Sequence, residues 1–407
     1  MSATSELFPE LARRPARRTP GNAFVNCGIA GFAVAAIMSH LLILRVGLSP
    51  GVQLICAVTA AAGLLGTALL AKVLTGEDGF VFYRDAITAL LLVALVLRLL
   101  RQPVLSYMDI TILGAGLFQA FGRVGCLLVG CCHGLPSRFG LRYTHNHAQT
   151  GFPSYLIGVR LFPIQAVEAL CVFAIVFAGG ATLLSSPAPA PGSVTAFFAL
   201  AYAFARFFIE FFRGDVARPV YADFSQAQWI SLFLSAAILL AERFGVLPAT
   251  PWHAIVPLTI AAAMLCTQIY RGISKSRLFE LIQPQHIREL ADFLALRPSV
   301  QNLRAWPSAV PPSEIALMTT TAGLRLSSTE LLFPDRSVFA VTFSRPCRPL
   351  IPRQARRIAK ILSRLAHSSS PCELLPASHG VFHLLFPLSR EATDWLFWSL
   401  QSFRRVG

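Results

Sequence analysis

Residues 192–215 read GSVTAFFALAYAFARFFIEFFRGD, and this stretch decides the fold. Its first part is apolar enough for a bilayer, which about 20 such residues cross as a helix. It closes on Tyr202, Arg206, Glu210, Arg213 and Asp215. Tyr202, Arg206 and Glu210 stand at i, i+4 and i+8, so they line one helix face, with Arg213 two turns beyond Arg206 on its side. Ionisable groups inside a span are costly. A polar stripe amid phenylalanines therefore faces other helices or a wet cavity, and the segment predicts one helix of a bundle. Structurally, Arg206 and Glu210 are a pair gluing that bundle; functionally, Glu210 also holds Arg206 in position.

The composition agrees. Of 407 residues, 55% are hydrophobic and only 14% charged, where an ordinary soluble domain has about 25% charged. This excludes a disordered tail protein and a plain cytosolic enzyme. Apolar stretches run approximately over 22–46, 51–73, 80–100, 106–129, 163–184, 192–212, 227–245 and 252–270, separated by Pro and Gly clusters. Eight spans is the literal count, and seven if the last two form one broken unit. Arg13, Arg14, Arg17 and Arg18 precede the first. Its apolar run exceeds the 7–15 residues of a signal-peptide core, so it predicts an anchor that stays.

Charge is uneven along the chain. Residues 1–270 hold 17 Lys and Arg against 11 Asp and Glu, and residues 271–407 hold 18 against 9. The expected fold class is an all-α polytopic membrane bundle (7–8 transmembrane helices) with a small C-terminal soluble α+β domain. The expected parts are a basic tail over 1–21, a membrane domain over 22–270 and a soluble domain of unknown function over 271–407. Amphipathic helix patterns near 285–296 and 352–367 and apolar β-like runs at Ser337 to Phe343 and Val381 to Phe386 support the last. Arg353, Arg356, Arg357, Lys360 and Arg364 give its second helix a basic, solvated face. The net charge of +15 suits anionic lipid headgroups. Without zinc-finger spacing, an RNP signature or an aromatic-interleaved basic stripe, no nucleic-acid partner is expected. Counting Lys and Arg on either side places both termini in the cytoplasm.

Two further regions carry polar residues where spans begin or end. Gly122-Arg123-Val124-Gly125-Cys126 closes the fourth span and runs on to Gly130-Cys131-Cys132-His133-Gly134. Flanking glycines would let backbone approach a bulky ligand and leave the Arg123 guanidinium unobstructed, and a guanidinium fork suits phosphate. An arginine snorkelling to the interface is the plainer alternative. Pro163-Ile164-Gln165-Ala166-Val167-Glu168 opens the fifth span. Gln165 and Glu168, one turn apart, could reach an arginine across the bundle, or Glu168 could simply sit well at a helix N-terminus. Nine cysteines form no disulfide framework. Cys126, Cys131, Cys132 and His133 permit a thiol-redox or metal site, with His145 and His147 nearby. Small residues letting helices pack closely are the favoured reading, and no metal is expected.

These three segments, in this order, resemble the prolipoprotein diacylglyceryl transferase family. Gly122-Arg123-Val124-Gly125 is similar to the start of its signature, Pro163 to Glu168 to its Pro-x-Gln-Leu-Tyr-Glu segment, and Tyr202, Arg206, Glu210 to its Tyr…Arg…Glu helix. Asp223-Phe224-Ser225-Gln226-Ala227-Gln228 resembles the Ser-x-Gly-Gln start of its last helix. The likeness covers roughly 22–245. Where the family has Asn and Glu, this chain has Cys126 and Cys131; where it has a His-Gly-Gly at the third span, this chain has Phe82-Tyr83-Arg84-Asp85. The chain thus looks like a divergent, Cys-containing branch.

The resemblance implies transfer of diacylglyceryl from phosphatidylglycerol to the thiol of a lipobox cysteine in a prolipoprotein, releasing glycerol phosphate, in the bacterial inner membrane and without a cofactor. Arg123, Arg206, Glu210 and Tyr202 would be catalytic. Arg213, Gln165, Glu168, Gly122 and Gly125 would bind substrate, and a base would come from Tyr83, Asp85, His133 or Glu210. The family carries its N-terminus and signature end outside the cytoplasm, against the charge count. The alternatives are a lipid-binding membrane protein that has lost the chemistry, or a Cys/His redox or metal protein. Oligomeric state is not written in the sequence.

Overall fold

The fold was read from a computed structural model, which describes residues 20–76, 82–185, 187–216, 218–273, 280–295, 316–332, 337–346, 349–366, 372–377 and 380–388. The basic tail over 1–21 lies almost wholly outside them. Among the described residues, eight long helices come first: α1 (Pro20–Val46), α2 (Pro50–Thr75), α3 (Phe82–Leu99), α4 (Val104–Val129), α5 (Ile164–Leu183), α6 (Ser193–Ile209), α7 (Gln226–Arg243) and α8 (Ile255–Ile273). Six segments among the described residues are long and apolar enough to cross a membrane: Asn22–Val46, Pro50–Leu74, Val104–Val129, Ile164–Leu183, Ser193–Phe212 and Pro251–Gly272. The other two, α3 and α7, have 18 residues each. Polar ends account for the difference: α3 carries Arg84, Asp85 and Arg98, and α7 starts at Gln226 and Gln228 and ends at Glu242 and Arg243. The chain is a multi-pass membrane protein whose outward side chains, Ile29, Leu65, Val73, Leu91 and Phe177 among them, are apolar.

Helices α4 and α6 are the most buried spans and α2 the most exposed, so the bundle is built around α4. Its contact with α1 is close because glycine removes the side chain where backbones meet. A Cβ on Gly31 would lie 2.6 Å from the Phe121 Cβ, and one on Gly125 would lie 3.2 Å from the Phe24 Cα. Small residues at helix crossings allow such approach in membranes. The apolar core joins Ile43, Val93, Ile110, Leu113, Val172, Val194 and Phe198 across α1, α3, α4, α5 and α6.

An acid that the sequence reading did not single out fixes the far end of this core. Helix α6 begins after Gly192, which has no capping side chain. Asp109 of α4, 2% exposed, supplies the cap: its Oδ2 accepts from the Gly192 N–H at 2.7 Å, and its Oδ1 from the Thr195 N–H at 2.7 Å and hydroxyl at 2.6 Å. The first N–H groups of a helix need such partners.

Between α4 and α5 the chain makes an excursion containing β1 (Pro136–Arg142), a one-turn helix at His145–Ala148 and β2 (Arg160–Leu161), which pairs antiparallel with β1. Just before α7, β3 (Val220–Tyr221) and β4 (Phe224–Ser225) form a small hairpin. After α8 come α9 (Pro284–Ala295), β5 (Ala316–Thr319), β6 (Arg325–Leu332), β7 (Ser337–Ser344), α10 (Pro352–Leu365), β8 (Glu373–Pro376) and β9 (Val381–Leu388). The five strands form one antiparallel sheet in the order β5-β6-β7-β9-β8. Phe339, Val341 and Phe343 alternate along β7, opposite Phe382, Leu384 and Phe386 of β9, and turn into one core with Leu290, Phe293, Ile358 and Leu362 of the two helices. Both amphipathic helices and both β-like runs lie where the sequence places them; β5, β6 and β8 are additional.

That core also takes in Tyr143, Phe152, Leu156, Val159 and Leu161 of the excursion. The C-terminal α/β layer therefore rests on the α4–α5 excursion. Arg364 of α10 donates to the Pro136 carbonyl at 2.9 Å, while Arg353, Arg356, Arg357 and Lys360 remain exposed.

Asp109→Ala removes both acceptors at the start of α6. It is expected to lower stability by about 1–2 kcal/mol, the usual cost of a lost N-cap, read as an earlier unfolding midpoint in detergent micelles.

Candidate functional site

Three helix ends meet on one side of the bundle: the C-terminal end of α4, the N-terminal end of α5 and the C-terminal end of α6. Their polar residues form one connected network. Glu168, 2% exposed, stands in its middle. Its Oε1 lies 3.1 Å from the Arg123 Nε and accepts from the Tyr202 hydroxyl at 3.0 Å; its Oε2 accepts from the Arg206 Nη1 at 3.3 Å. Arg206 Nη2 lies 2.9 Å from Glu210 Oε2, and Arg213 Nη1 lies 3.9 Å from the same oxygen. Arg218 pairs with Glu210, and Arg213 with Asp215.

Glu168 is thus a shared counter-ion for two arginines, and the plain helix-terminus reading of it does not describe its surroundings. Arg123 is 8% exposed and turned into the bundle, which distinguishes it from a snorkelling side chain. Four guanidinium groups meet three carboxylates here, leaving one positive charge in excess. Among the described residues, the buried Arg213 Nε has no hydrogen-bond partner. A buried cationic cluster with an unused donor is suited to an anion.

Local folding explains the convergence. Helix α4 ends where Gly130 takes φ +90°, its N–H returning to the Cys126 carbonyl at 2.8 Å. The following backbone zips against the chain after α6: Gly214 N–H donates to the His133 carbonyl at 2.8 Å and Leu135 N–H to Phe212 at 3.0 Å. Glycine is required there, since a Cβ on Gly214 would sit 2.6 Å from the Gly134 carbonyl oxygen. Leu135 in turn accepts from Phe162 N–H at 3.0 Å, which sets the start of α5. The stripe on α6 holds as read to Arg206, after which a 3-10 turn over Glu210–Phe212 continues it.

The remaining sequence candidates are placed as follows. Gln165 reaches no arginine; its Nε2 donates to the Cys131 carbonyl at 2.8 Å and lies 3.4 Å from the Tyr143 hydroxyl, holding the loop after α4. Apart from its own helix, no described residue lies within 4 Å of a Cβ on Gly122, so space is open at that position, whereas Gly125 packs on Phe24 and Cys27 of α1. Tyr83 is within 2.9 Å of the Ser231 hydroxyl, its ring 5.7 Å from that of Tyr202. Asp85 pairs with Arg84 at 2.7 Å. His133 contacts the Gly134 carbonyl at 3.1 Å through Nδ1, and burial pushes its pKa below the ordinary value, favouring the neutral ring. Ser225 and Gln228 form a capping box at α7, and Gln228 Nε2 lies 3.4 Å from the Phe207 carbonyl of α6.

The structure adds two residues. Arg218 joins the cluster from the loop after α6, where nothing in the local pattern marks it. Gln119 stands four residues before Arg123 on the same face of α4. It is 5% exposed, and among the described residues neither end of its amide has a hydrogen-bond partner. An amide inside an apolar span was its signal. The thiols of Cys126, Cys131 and Cys132 also converge, all three sulfurs lying within 4.8 Å of one another. His147 instead lies 3.0 Å from the Thr144 hydroxyl through Nδ1.

Residues 29–243, more than half of the chain, match the family described as prolipoprotein diacylglyceryl transferase. Relatives include the phosphatidylglycerol–prolipoprotein diacylglyceryl transferase of Clostridium tetani, 32% identical over 160 residues, covering 38% of this chain and 60% of that protein. Transferase 2 of Clostridium perfringens is 34% identical over 161 residues, covering 39% of this chain and 59% of that one. One from Dehalococcoides mccartyi is 40% identical over 70 residues, covering 16% of this chain and 26% of the relative. The match spans about three fifths of the length of the first two relatives. The chain belongs to the prolipoprotein diacylglyceryl transferase family.

Glu168→Ala would leave Arg123 and Arg206 facing each other without their shared carboxylate. Breaking a buried pair from one side costs about 3–5 kcal/mol, so a large drop in the unfolding midpoint is expected, with Glu168→Gln intermediate.

Proposed function

We propose that this family member transfers a diacylglyceryl group from phosphatidylglycerol to the thiol of a lipobox cysteine in prolipoproteins, releasing glycerol phosphate. The observation that carries this reading is the convergence of Arg123 and Arg206 on Glu168, with Arg213 and its unpartnered Nε beside them. The leaving group is a phosphate monoester, and its negative charge grows as the carbon–oxygen bond breaks. Guanidinium groups already fixed around that point stabilise the transition state without reorganising. Arg123 and Arg206 take this role; Arg213 holds the headgroup; Glu168, Glu210 and Tyr202 keep the arginines in place. The space beside Gly122 admits the lipid.

The thiol must become a thiolate before it attacks. The base candidates are Tyr83, Asp85, His133 and Glu210. Tyr83 and Asp85 are engaged with Ser231 and Arg84, and Glu210 with three arginines. His133, neutral and at the edge of the site, is the best placed. A second reading, a lipid-binding protein without transfer, is favoured by the absence of histidine from Phe82 to Asp85.

We place this protein in the bacterial inner membrane with α3 and α7 also crossing, which makes eight spans, and we treat 22–270 as the transferase-like domain and 271–407 as an appended one. Helix α1 starts, and α8 ends, on the site's side of the bundle, since Phe24 adjoins Gly125 and Arg271 donates to the Asp223 carbonyl at 2.9 Å. One sidedness then applies to all of them, and we assign it to the face away from the cytoplasm, where Arg213, Arg218 and Arg271 of the charge count are paired with acids. A phosphatase fused at the C-terminus is expected to be active and a cytoplasm-dependent fluorescent reporter dark; the reverse outcome inverts the orientation.

In cells depleted of their own transferase, the chain is expected to restore diacylglyceryl modification of a lipobox reporter. Arg123→Ala and Arg206→Ala should each lower transfer by about 100-fold, the cost of one preorganised charge donor. Phosphatidylglycerol binding with no modification would support the second reading; Arg123→Ala acting at the normal rate would remove the mechanism.

A further inference from the structure

The two positions at which the signature departs from its family, Cys126 and Cys131, supply two of three sulfurs that lie within 4.8 Å of one another, with Cys132 as the third. Consecutive side chains ordinarily diverge. Cys132 has φ +52°, a left-handed conformation uncommon outside glycine, and this unusual backbone brings two neighbouring thiols to the point that Cys126 reaches from the last turn of α4. Backbone held in a costly conformation tends to mark a working site.

We propose that Cys126, Cys131 and Cys132 bind a zinc ion through three thiolates, leaving a fourth position open for the thiol of the prolipoprotein cysteine. The inference rests on the transferase reading above and fills the gap left by the missing histidine. Four sulfurs at about 2.3 Å from a tetrahedral zinc stand about 3.8 Å apart, a small contraction of the observed cluster. Three protein ligands with one open position is the pattern of a catalytic zinc. Zinc with three thiolates carries one net negative charge, and the residue after Cys132 is hydrogen-bonded to the residue after Arg213, Gly214 N–H to the His133 carbonyl at 2.8 Å, which sets the cationic cluster beside it. Gln165 holds the Cys131 carbonyl at 2.8 Å, a fixed support for the ligand loop of the kind that orients metal ligands.

The chemistry is an alkylation at sulfur. On binding zinc, the substrate thiol gives its proton to solvent, because a coordinated thiol is deprotonated outright. The sulfur electron pair then forms the bond to the glyceryl carbon. The bond from that carbon to the phosphate oxygen breaks, and its electron pair leaves on glycerol phosphate, received by Arg123 and Arg206. Zinc keeps its oxidation state throughout. The metal takes over the role that His133 would otherwise fill as base: it makes a nucleophilic thiolate at neutral pH beside the arginines that take the leaving group.

The test uses the full chain in detergent micelles, with cobalt(II) as a spectroscopic stand-in for zinc. One equivalent is expected to saturate an intense sulfur-to-cobalt charge-transfer band and visible bands of tetrahedral shape. Cys126→Ser, Cys131→Ser and Cys132→Ser should each remove or weaken them, and Cys171→Ser should not. A lipobox peptide should then shift the visible bands, and the same peptide with serine for cysteine should leave them unchanged. Absence of these bands in the unaltered chain, their survival in Cys132→Ser, or equal effects of the two peptides overturns the proposal. Full-rate transfer by chelated, zinc-free protein overturns it too, while leaving the transferase reading standing. Cobalt and peptide thiol bound without any transfer after zinc loading overturns the step together with that reading.

Discussion

One carboxylate carries the architecture of the site. Glu168 is nearly inaccessible and faces Arg123 of α4 and Arg206 of α6, with the Tyr202 hydroxyl as a further donor. Moving any one of these charges out of water is expensive, and only mutual neutralisation with good hydrogen bonding makes it tolerable. None of α4, α5 and α6 can change register at this end without stranding a charge. A bundle held only by apolar contacts would have neighbouring registers of similar energy, because lipid tails and helix faces are alike in polarity.

The opposite end of the same helices is fixed by a different device. Asp109 on α4 caps α6 through two backbone N–H groups and a hydroxyl, so α4 and α6 are joined at both ends by polar contacts with apolar packing between. The glycine contacts of α4 with α1 complete its enclosure. Arg123 and Arg206 thus sit on helix ends held from several sides.

Much of this was legible in the chain. The i, i+4, i+8 stripe of Tyr202, Arg206 and Glu210 is dictated by helix geometry and needed no tertiary information. Arg123 and Glu168 were visible as charges at span ends, where apolar surroundings make them conspicuous. What could not be read was the pairing: that Glu168 serves two arginines, or that Gln165 holds a loop and reaches no guanidinium, depends on three helix ends meeting. Arg218 was hidden because a basic residue in a loop is the ordinary case. Asp109 and Gln119 were each a lone polar residue in an otherwise apolar span, a weak signal without a partner in sight. Strands β5, β6 and β8 escaped because their apolar pattern is interrupted by polar residues, whereas β7 and β9 are nearly continuous apolar runs. The six strongly apolar spans were clear, and polar ends left α3 and α7 short of them.

The apolar core beneath the C-terminal sheet is not closed by the sheet and its helices alone, since Tyr143, Phe152, Leu156 and Leu161 of the α4–α5 excursion complete it. The excursion is also the segment whose two ends bracket the thiols and the start of α5. Melting of the sheet would strip these residues of their cover and slacken the backbone that links His133 to Phe162. The C-terminal layer and the loop beside the arginine cluster therefore share one apolar core, and the order of the first bears on how sharply the second is held.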